Sequence, residues 1–332
     1  MSRILVTGGA GYVGSTCCRQ LQARGHQVEV VDDLSTGHAE AVPQGIPLHQ
    51  IDIGDAEALS AVCARGKFDT VFHFAAKALI AESVTNPGIF FETNVAKGIT
   101  LVETMRKHKI QNFVFSSTAA VYGTPTIVPT PEDHPKEPVN SYGQSKLMFE
   151  DLLRWYVSGY GWSVVVFRYF NACGGDANWG ERHEPETHII PLLLQVASGR
   201  RPSFQIYGTD YDTPDGSCLR DYVHVLDIAE AHLLALKKMD QPGFLAYNIG
   251  TGTSFSVKEI WEAAQSVTGT SIAVRESSRR PGDPPVLCAS PICLMQEFGW
   301  RPVHSELHNI LEGAWKWEQR QSKELVHKMA NS

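Results

Sequence analysis

The chain has 332 residues, long enough to bury a large core and to form two lobes. Its 29 Lys and Arg against 36 Asp and Glu leave a formal net charge of −7 and no basic tract. That argues against nucleic acid as the main partner, so any anionic ligand must be met by locally placed arginines. No apolar run approaches the ~20 residues that cross a bilayer, and residues 3–6 already read as a strand, so no leader segment is expected before them.

Arg3-Ile4-Leu5-Val6 has the apolar core of a buried parallel strand. It runs into Thr7-Gly8-Gly9-Ala10-Gly11-Tyr12-Val13-Gly14, with Gly8, Gly11 and Gly14 in the spacing G-x-x-G-x-x-G. Gly8 permits a tight turn, Gly11 lets the backbone approach a pyrophosphate, and Gly14 allows close helix–strand packing. The spacing predicts a helix from Tyr12 to Arg24, stopped at Gly25, with its first amides facing phosphates. A second strand, Gln27 to Val31, ends in Asp32, 18 residues past Gly14. A carboxylate there accepts hydrogen bonds from an adenosine ribose and repels a 2′-phosphate, which favours NAD over NADP.

Thr70 to Phe74 reads as the next strand, Pro87 to His108 as a long helix and Asn112 to Phe115 as a further strand, with Thr118 just past its end. Residues 124–140 hold five prolines and form a loop. A helix from Ser141 to Val157 and a strand from Ser163 to Phe167 follow. This alternation predicts an α/β fold with a doubly wound, Rossmann-like parallel sheet and ligands beyond the carboxyl ends of its strands. From Ala172 the rhythm is irregular. The pieces Arg220 to Lys238 and Ala246 to Ile249 are expected to rejoin the sheet or its edge. The division expected is an NAD-binding domain over residues 1–171, rejoined by about 220–250, and a smaller substrate-binding lobe from 172–219 and 251–325.

Tyr142 and Lys146, in Ser141-Tyr142-Gly143-Gln144-Ser145-Lys146, stand one helical turn apart on one face, 24 residues after Thr118. An ammonium beside a phenol favours phenolate and pulls a pKa of about 10 toward neutrality, which makes the tyrosine a general base for an alcohol. Beside a dinucleotide fingerprint, such a base implies a redox site. The seven cysteines are odd in number and form no C-x-x-C pair, so reduced thiols in a cytoplasm and no structural metal are expected. His224, in an apolar run, reads as a core histidine, and Asp221 as the surface partner of Arg220.

These residues resemble the extended short-chain dehydrogenase/reductase family, and within it the nucleotide-sugar 4-epimerases, over nearly the whole chain. The likeness rests on the fingerprint, His73-Phe74-Ala75-Ala76, Ser116-Ser117-Thr118, Val121-Tyr122-Gly123, the Tyr142 and Lys146 pair and Arg168-Tyr169-Phe170-Asn171. More specific to the epimerases are Gly208-Thr209-Asp210-Tyr211, Arg220-Asp221-Tyr222-Val223-His224 and Arg279-Arg280-Pro281-Gly282-Asp283. The resemblance implies an NAD-dependent isomerase that interconverts UDP-glucose and UDP-galactose by transient oxidation at sugar C4, in a cytoplasmic homodimer serving galactose metabolism. It implies that Tyr142 takes the 4-hydroxyl proton, Thr118 hydrogen-bonds the same hydroxyl and Lys146 holds the nicotinamide ribose.

The NAD contacts so implied are Gly8, Gly11, Tyr12, Val13 and Gly14, then Asp32, Asp33, Leu34, Ser35, Thr36 and Gly37. They continue through Asp52, Ile53, Phe74, Ala75, Ala76, Lys77, Asn94, Ser116, Tyr142, Lys146 and Tyr169. The UDP-sugar is expected at Thr118, Tyr142, Asn171, His188, Ile189, Tyr207, Arg220, Tyr222, Arg280, Asp283 and Leu287, with both arginines on the diphosphate. The sequence departs from the family pattern at four places. Lys77 comes one residue early for a lysine reaching the NAD phosphates, His188 replaces a frequent Asn, and Tyr207 replaces a usual Phe. Leu287 stands where the family limits the C2 substituent, which opens the possibility of N-acetylated UDP-hexoses. A 4,6-dehydratase or decarboxylase needs a carboxylate just after Thr118, where this chain has Ala119 and Ala120. A UDP-pentose or UDP-uronate epimerase, or a non-catalytic NAD sensor on the same fold, remain the alternatives.

Overall fold

The computed structural model describes residues 1–280 and 282–330; Pro281 of the late arginine motif lies outside them. Six strands build a parallel sheet in the first half: β1 (Arg3–Thr7), β2 (Gln27–Asp32), β3 (Leu48–Gln50), β4 (Thr70–His73), β5 (Asn112–Thr118) and β6 (Ser163–Tyr169). The short β7 (Asn171–Cys173), β8 (Phe204–Tyr207) and β9 (Leu219–His224) lie outside it, and β10 (Gly243–Ile249) returns as a seventh strand beside β6. The order β10-β6-β5-β4-β1-β2-β3 reverses direction at β1 and β4, the switch point where α/β sheets bind ligands.

Helices α1 (Tyr12–Ala23), α2 (Ala56–Gly66), α3 (Ile80–Thr85), α4 (Pro87–Phe91), α5 (Lys97–Lys107), α6 (Ser141–Tyr160), α7 (Ile189–Ala197) and α8 (Val225–Ala235) follow in chain order. Alternation along β1 shows how the sheet is covered. Ile4 and Val6 join a core with Leu21 of α1 and Ile228 of α8, while Leu5 joins the opposite core with Leu59 of α2, Leu101 of α5 and Phe149 of α6. Each such fully buried side chain contributes roughly 1.5–3 kcal/mol. The β-branched run Val164-Val165-Val166 supplies both faces at once, as a strand covered on both sides requires.

The remaining elements are β11 (Ser254–Ser256), α9 (Val257–Thr268), β12 (Val274–Ser277), β13 (Val286–Leu287), α10 (Ile292–Phe298) and α11 (Leu307–Ala330). Ile190 and Leu193 of α7, Ile260 of α9 and Leu311 of α11 form a separate core. Strand β9 does not join the central sheet; it pairs with β7, β11 and β13, which carries Arg220 and Tyr222 onto the far side of the strand ends. The helical stretch read from Pro87 to His108 is interrupted by a wider, π-type turn over Glu92–Ala96. Such bulges mark functional sites, and this one carries Asn94.

Candidate active site

At the switch point, Gly8 has φ +75°, and a Cβ on it would lie 2.4 Å from Ala75 N. A Cβ on Gly14 would lie 2.2 Å from Gly8 O. The turn is thus bare backbone wedged between the ends of β1 and β4, with the unshared amides of α1 opening onto it, a cradle that fits a dinucleotide pyrophosphate. Asp32 ends β2 almost buried; its oxygens accept from Ala10 N and Leu34 N, each at 2.9 Å. Burial pushes its pKa up against those two hydrogen bonds. Gly37 returns to Asp32, whereas Asp33, Ser35 and Thr36 are exposed along the loop.

Asp52 pairs with Lys97, and Ile53 beside it is buried in the core. Phe74 packs against the sheet, and Ala75, Ala76 and Lys77 continue the wall. The Asn94 amide is committed to that wall: it bonds Lys77 N at 2.8 Å, Lys77 O at 3.0 Å and Ser145 Oγ at 3.0 Å. Asn94 therefore holds the turn in place with its whole side chain.

Thr118 is the last residue of β5, and its Oγ1 accepts from Ala120 N at 3.1 Å, which leaves its own proton free to donate. Tyr142 enters at the start of α6, a helix capped by Asn140 accepting from Gly143 N at 2.8 Å. Burial raises the Tyr142 pKa, and a hydrogen bond with Thr118 opposes the rise. Lys146, 3% exposed, donates from Nζ to Ser116 O at 2.8 Å and lies 4.8 Å from the centre of the Phe115 ring. Burial brings its pKa down to about 7, with Glu150 pulling the other way. The sequence expectation of a phenol drawn toward neutrality by Lys146 is therefore corrected. Among the described residues, the lysine is itself desolvated and donates to Ser116 O, and the hydrogen bond with Thr118 is what lowers the phenol.

Tyr169 closes β6, its hydroxyl 2.8 Å from His232 Nε2. His232 Nδ1 donates to Ile228 O at 2.9 Å, so Nε2 is the acceptor and the hydroxyl is fixed as donor.

Across the strand ends, Asn171 on β7 donates to Asp221 O at 2.9 Å. Arg220 on β9 pairs with Asp283 and donates to Leu219 O, while Arg280 lies over the Tyr207 ring at 4.0 Å. Arg280 and Asp283 line a cleft of about 760 Å³ with Tyr211 and Arg279. Tyr222 is buried behind Arg220. Leu287 on β13 pairs with Arg220 in register and packs on the cluster of Ala119, Val121, Tyr122 and Phe170, directly after Thr118. His188 caps α7 and Ile189 begins it.

Asp221 is not at the surface. It is fully buried and accepts from Thr251 N, Thr251 Oγ1, Gly252 N and Ala289 N, a clasp of loop amides that no local pattern announces. His224 is buried and accepts from Leu226 N at 3.1 Å as the cap of α8. Two groupings escape a reading of the sequence. One is the buried pair of Arg168 and Glu150 beneath Thr118 and Lys146. The other is the convergence of Glu181, His183, Glu186 and His188, whose only signal is the spacing E-x-H-x-x-E-x-H.

Residues 4–250 match the model of the NAD dependent epimerase/dehydratase family. The UDP-glucose 4-epimerase of Lacticaseibacillus casei is 46% identical over 95% of this chain and 96% of that protein. The crystal structure of UDP-glucose 4-epimerase from Brucella ovis in complex with NAD superposes with a TM-score of 0.92 at 40% identity, over 95% of this chain and 98% of that one. The UDP-Glc/GlcNAc 4-epimerase from Campylobacter jejuni superposes at 0.84 with 37% identity, over 96% of this chain and all of that one (100%). With its glycine cradle, its Tyr142 and Lys146 face and these likenesses along nearly its full length, the chain belongs to the NAD dependent epimerase/dehydratase family.

Proposed function

We propose that the chain is a UDP-glucose 4-epimerase, an isomerase that inverts C4 of UDP-hexoses by transient oxidation with NAD. The observation that carries this reading is the meeting of Thr118, Tyr142 and Lys146 at the carboxyl end of β5, beside the cradle between β1 and β4. NAD, when bound, supplies the acceptor and later the donor of the C4 hydride. Thr118, hydrogen-bonded to Tyr142, orients the sugar 4-hydroxyl against it, and Tyr142 takes the hydroxyl proton. The 4-keto sugar must then present its other face and be reduced there, with Tyr142 returning the proton.

Arg220 and Arg280 hold the diphosphate, each able to bind phosphate oxygens bidentately, and Asp283 fixes Arg220. Binding energy placed on the UDP leaves the hexose ring free to turn, the use this reaction needs. Lys146 is the anchor for the nicotinamide ribose, and Tyr169, held by His232, borders it. The Asp32 carboxylate faces the adenosine ribose. Asn171, Tyr207, Tyr222, His188 and Ile189 border the uridine and diphosphate.

A homodimer is the proposed assembly: Ile99 on α5 and Met148 and Trp155 on α6 are exposed, an apolar face suited to a second copy. Cytoplasmic galactose metabolism is the proposed setting. All seven cysteines are free thiols, and among the described residues no helix is long and apolar enough to cross a membrane.

The test is incubation of purified protein with UDP-galactose and no added cofactor. UDP-glucose should form at the expense of the substrate. Absence of product, with NAD present in the protein, would overturn the assignment.

A further inference from the structure

Between β7 and α7 the chain runs as a strap, residues 174–188, over the start of α1. Tyr12, the first residue of α1, donates its hydroxyl to Gly174 O at 2.6 Å and meets the His183 ring edge-on at 6.3 Å. Trp317 Nε1 donates to Glu181 O at 3.0 Å, and Arg182 pairs with Glu40 on the loop after β2. Inside the strap, Glu181, His183, Glu186 and His188 each place one candidate ligand atom within 4.8 Å of the others.

His188 Nδ1 stands 2.8 Å from Glu181 Oε1 and 3.0 Å from Glu186 Oε1. His183 Nδ1 stands 3.2 Å from Glu181 Oε1 and 3.8 Å from Glu186 Oε2. A tetrahedral shell with bonds of about 2.0–2.1 Å separates its ligands by about 3.3 Å, the middle of that range. His183 Nδ1 is also buried, and although it sits 3.2 Å from Glu181 Oε1 it makes no hydrogen bond of good geometry there, so the ring nitrogen is left unsatisfied within the cluster. Buried polar atoms seldom stay unpaired in a folded protein. Two carboxylates balance one dication. Two imidazoles among the donors suit zinc and its transition-metal neighbours over magnesium or calcium, which take oxygen shells.

We propose that Glu181, His183, Glu186 and His188 form a structural site for a zinc-class divalent cation that locks the strap between the start of α1 and the start of α7. None of the four contacts Thr118, Tyr142 or Lys146 among the described hydrogen bonds, so the ion holds the cover and takes no part in hydride or proton transfer. His188 uses Nδ1 as ligand and keeps Nε2 and the first-turn amides of α7 for the diphosphate side, a refinement that rests on the UDP-sugar reading above.

The probe is Zn²⁺ alone, titrated by calorimetry into the full-length, NAD-loaded protein after chelator treatment, with Co²⁺ as a spectroscopic substitute. One equivalent should bind per chain, Co²⁺ should show the visible bands of tetrahedral coordination, and Zn²⁺ should raise the melting temperature. Glu181→Gln and His183→Gln should each weaken binding by about 100-fold or more, beyond what loss of an outer-shell partner costs. His308→Gln, on an exposed stretch of α11, should leave binding unchanged. If Glu181→Gln does not fold, His183→Gln decides alone. Binding of less than one equivalent, or equal affinity in wild type and His183→Gln, overturns the site and leaves the cluster as histidine–carboxylate ion pairs. Neither result touches epimerase activity, which is read separately.

Discussion

Arg168→Met should unlock the platform on which the catalytic residues stand. Arg168 and Glu150 form an ion pair with both side chains 1% exposed, Nη2 to Oε2 at 2.7 Å and Nε to Oε1 at 3.0 Å. Arg168 Nη1 also donates to Tyr122 Oη at 2.8 Å and to Glu132 O at 3.0 Å, while Ser117 Oγ donates to Glu150 at 2.6 Å. The pair therefore fastens α6 to β5 and β6, beside Thr118, Lys146 and Tyr169. Arg168→Met leaves the Glu150 carboxylate buried with Ser117 as its remaining donor. Breaking a buried pair from one side costs about 3–5 kcal/mol, a large share of the roughly 5–15 kcal/mol that stabilises a typical domain. Replacing both charges by apolar groups removes the stranded charge, so Arg168→Met with Glu150→Leu should recover about 2 kcal/mol or more of that loss. Urea unfolding of NAD-loaded protein, followed by tryptophan fluorescence, measures both, and turnover with UDP-galactose should fall in the single variant. A single-variant loss below about 1 kcal/mol, or a double variant no more stable than the single, would refute the reasoning.

Tyr142→Phe should lower turnover with UDP-galactose by about two to four orders of magnitude while NAD stays bound; near-normal turnover rules the base out. Denaturing the protein should release NAD, because Asp32 repels a 2′-phosphate; recovered NADP contradicts that reading. Leu287→Tyr should depress kcat/KM for UDP-N-acetylglucosamine relative to UDP-glucose, and an unchanged ratio removes residue 287 as the gate. His232 is fully buried, and burial holds its pKa down to about 4, below the usual 6.5 of an unfolded chain. Below pH 6.5 the unfolded state takes up a proton that the folded state refuses, so stability falls as pH drops from 6.5 toward 4. Between pH 7.5 and pH 5, wild type should lose about 2 kcal/mol more than His232→Gln does; equal losses by urea midpoint at the two pH values refute it.

What the chain by itself determines is whatever depends on neighbours in sequence. The glycine triplet, the strand ending at Asp32, the Asn140-capped helix with Tyr142 and Lys146 on one face, and the strand–helix alternation are all encoded within a few residues. Backbone sterics and the helical period act at that range. The lobe strands β7, β8, β11, β12 and β13 span two to four residues each, too short for any period to register. Their pairing depends on partners tens of residues away. The ionisation of the site was equally out of reach. Helical spacing puts a lysine near a tyrosine, but only the packed structure says that Lys146 is 3% exposed and bonded to Ser116 O, so that burial governs both groups. Asp221 shows the same limit: a carboxylate next to an arginine reads as a surface pair until four donors from distant loops close over it. Desolvation and long-range hydrogen bonding are properties of the assembled fold, and no window of sequence contains them.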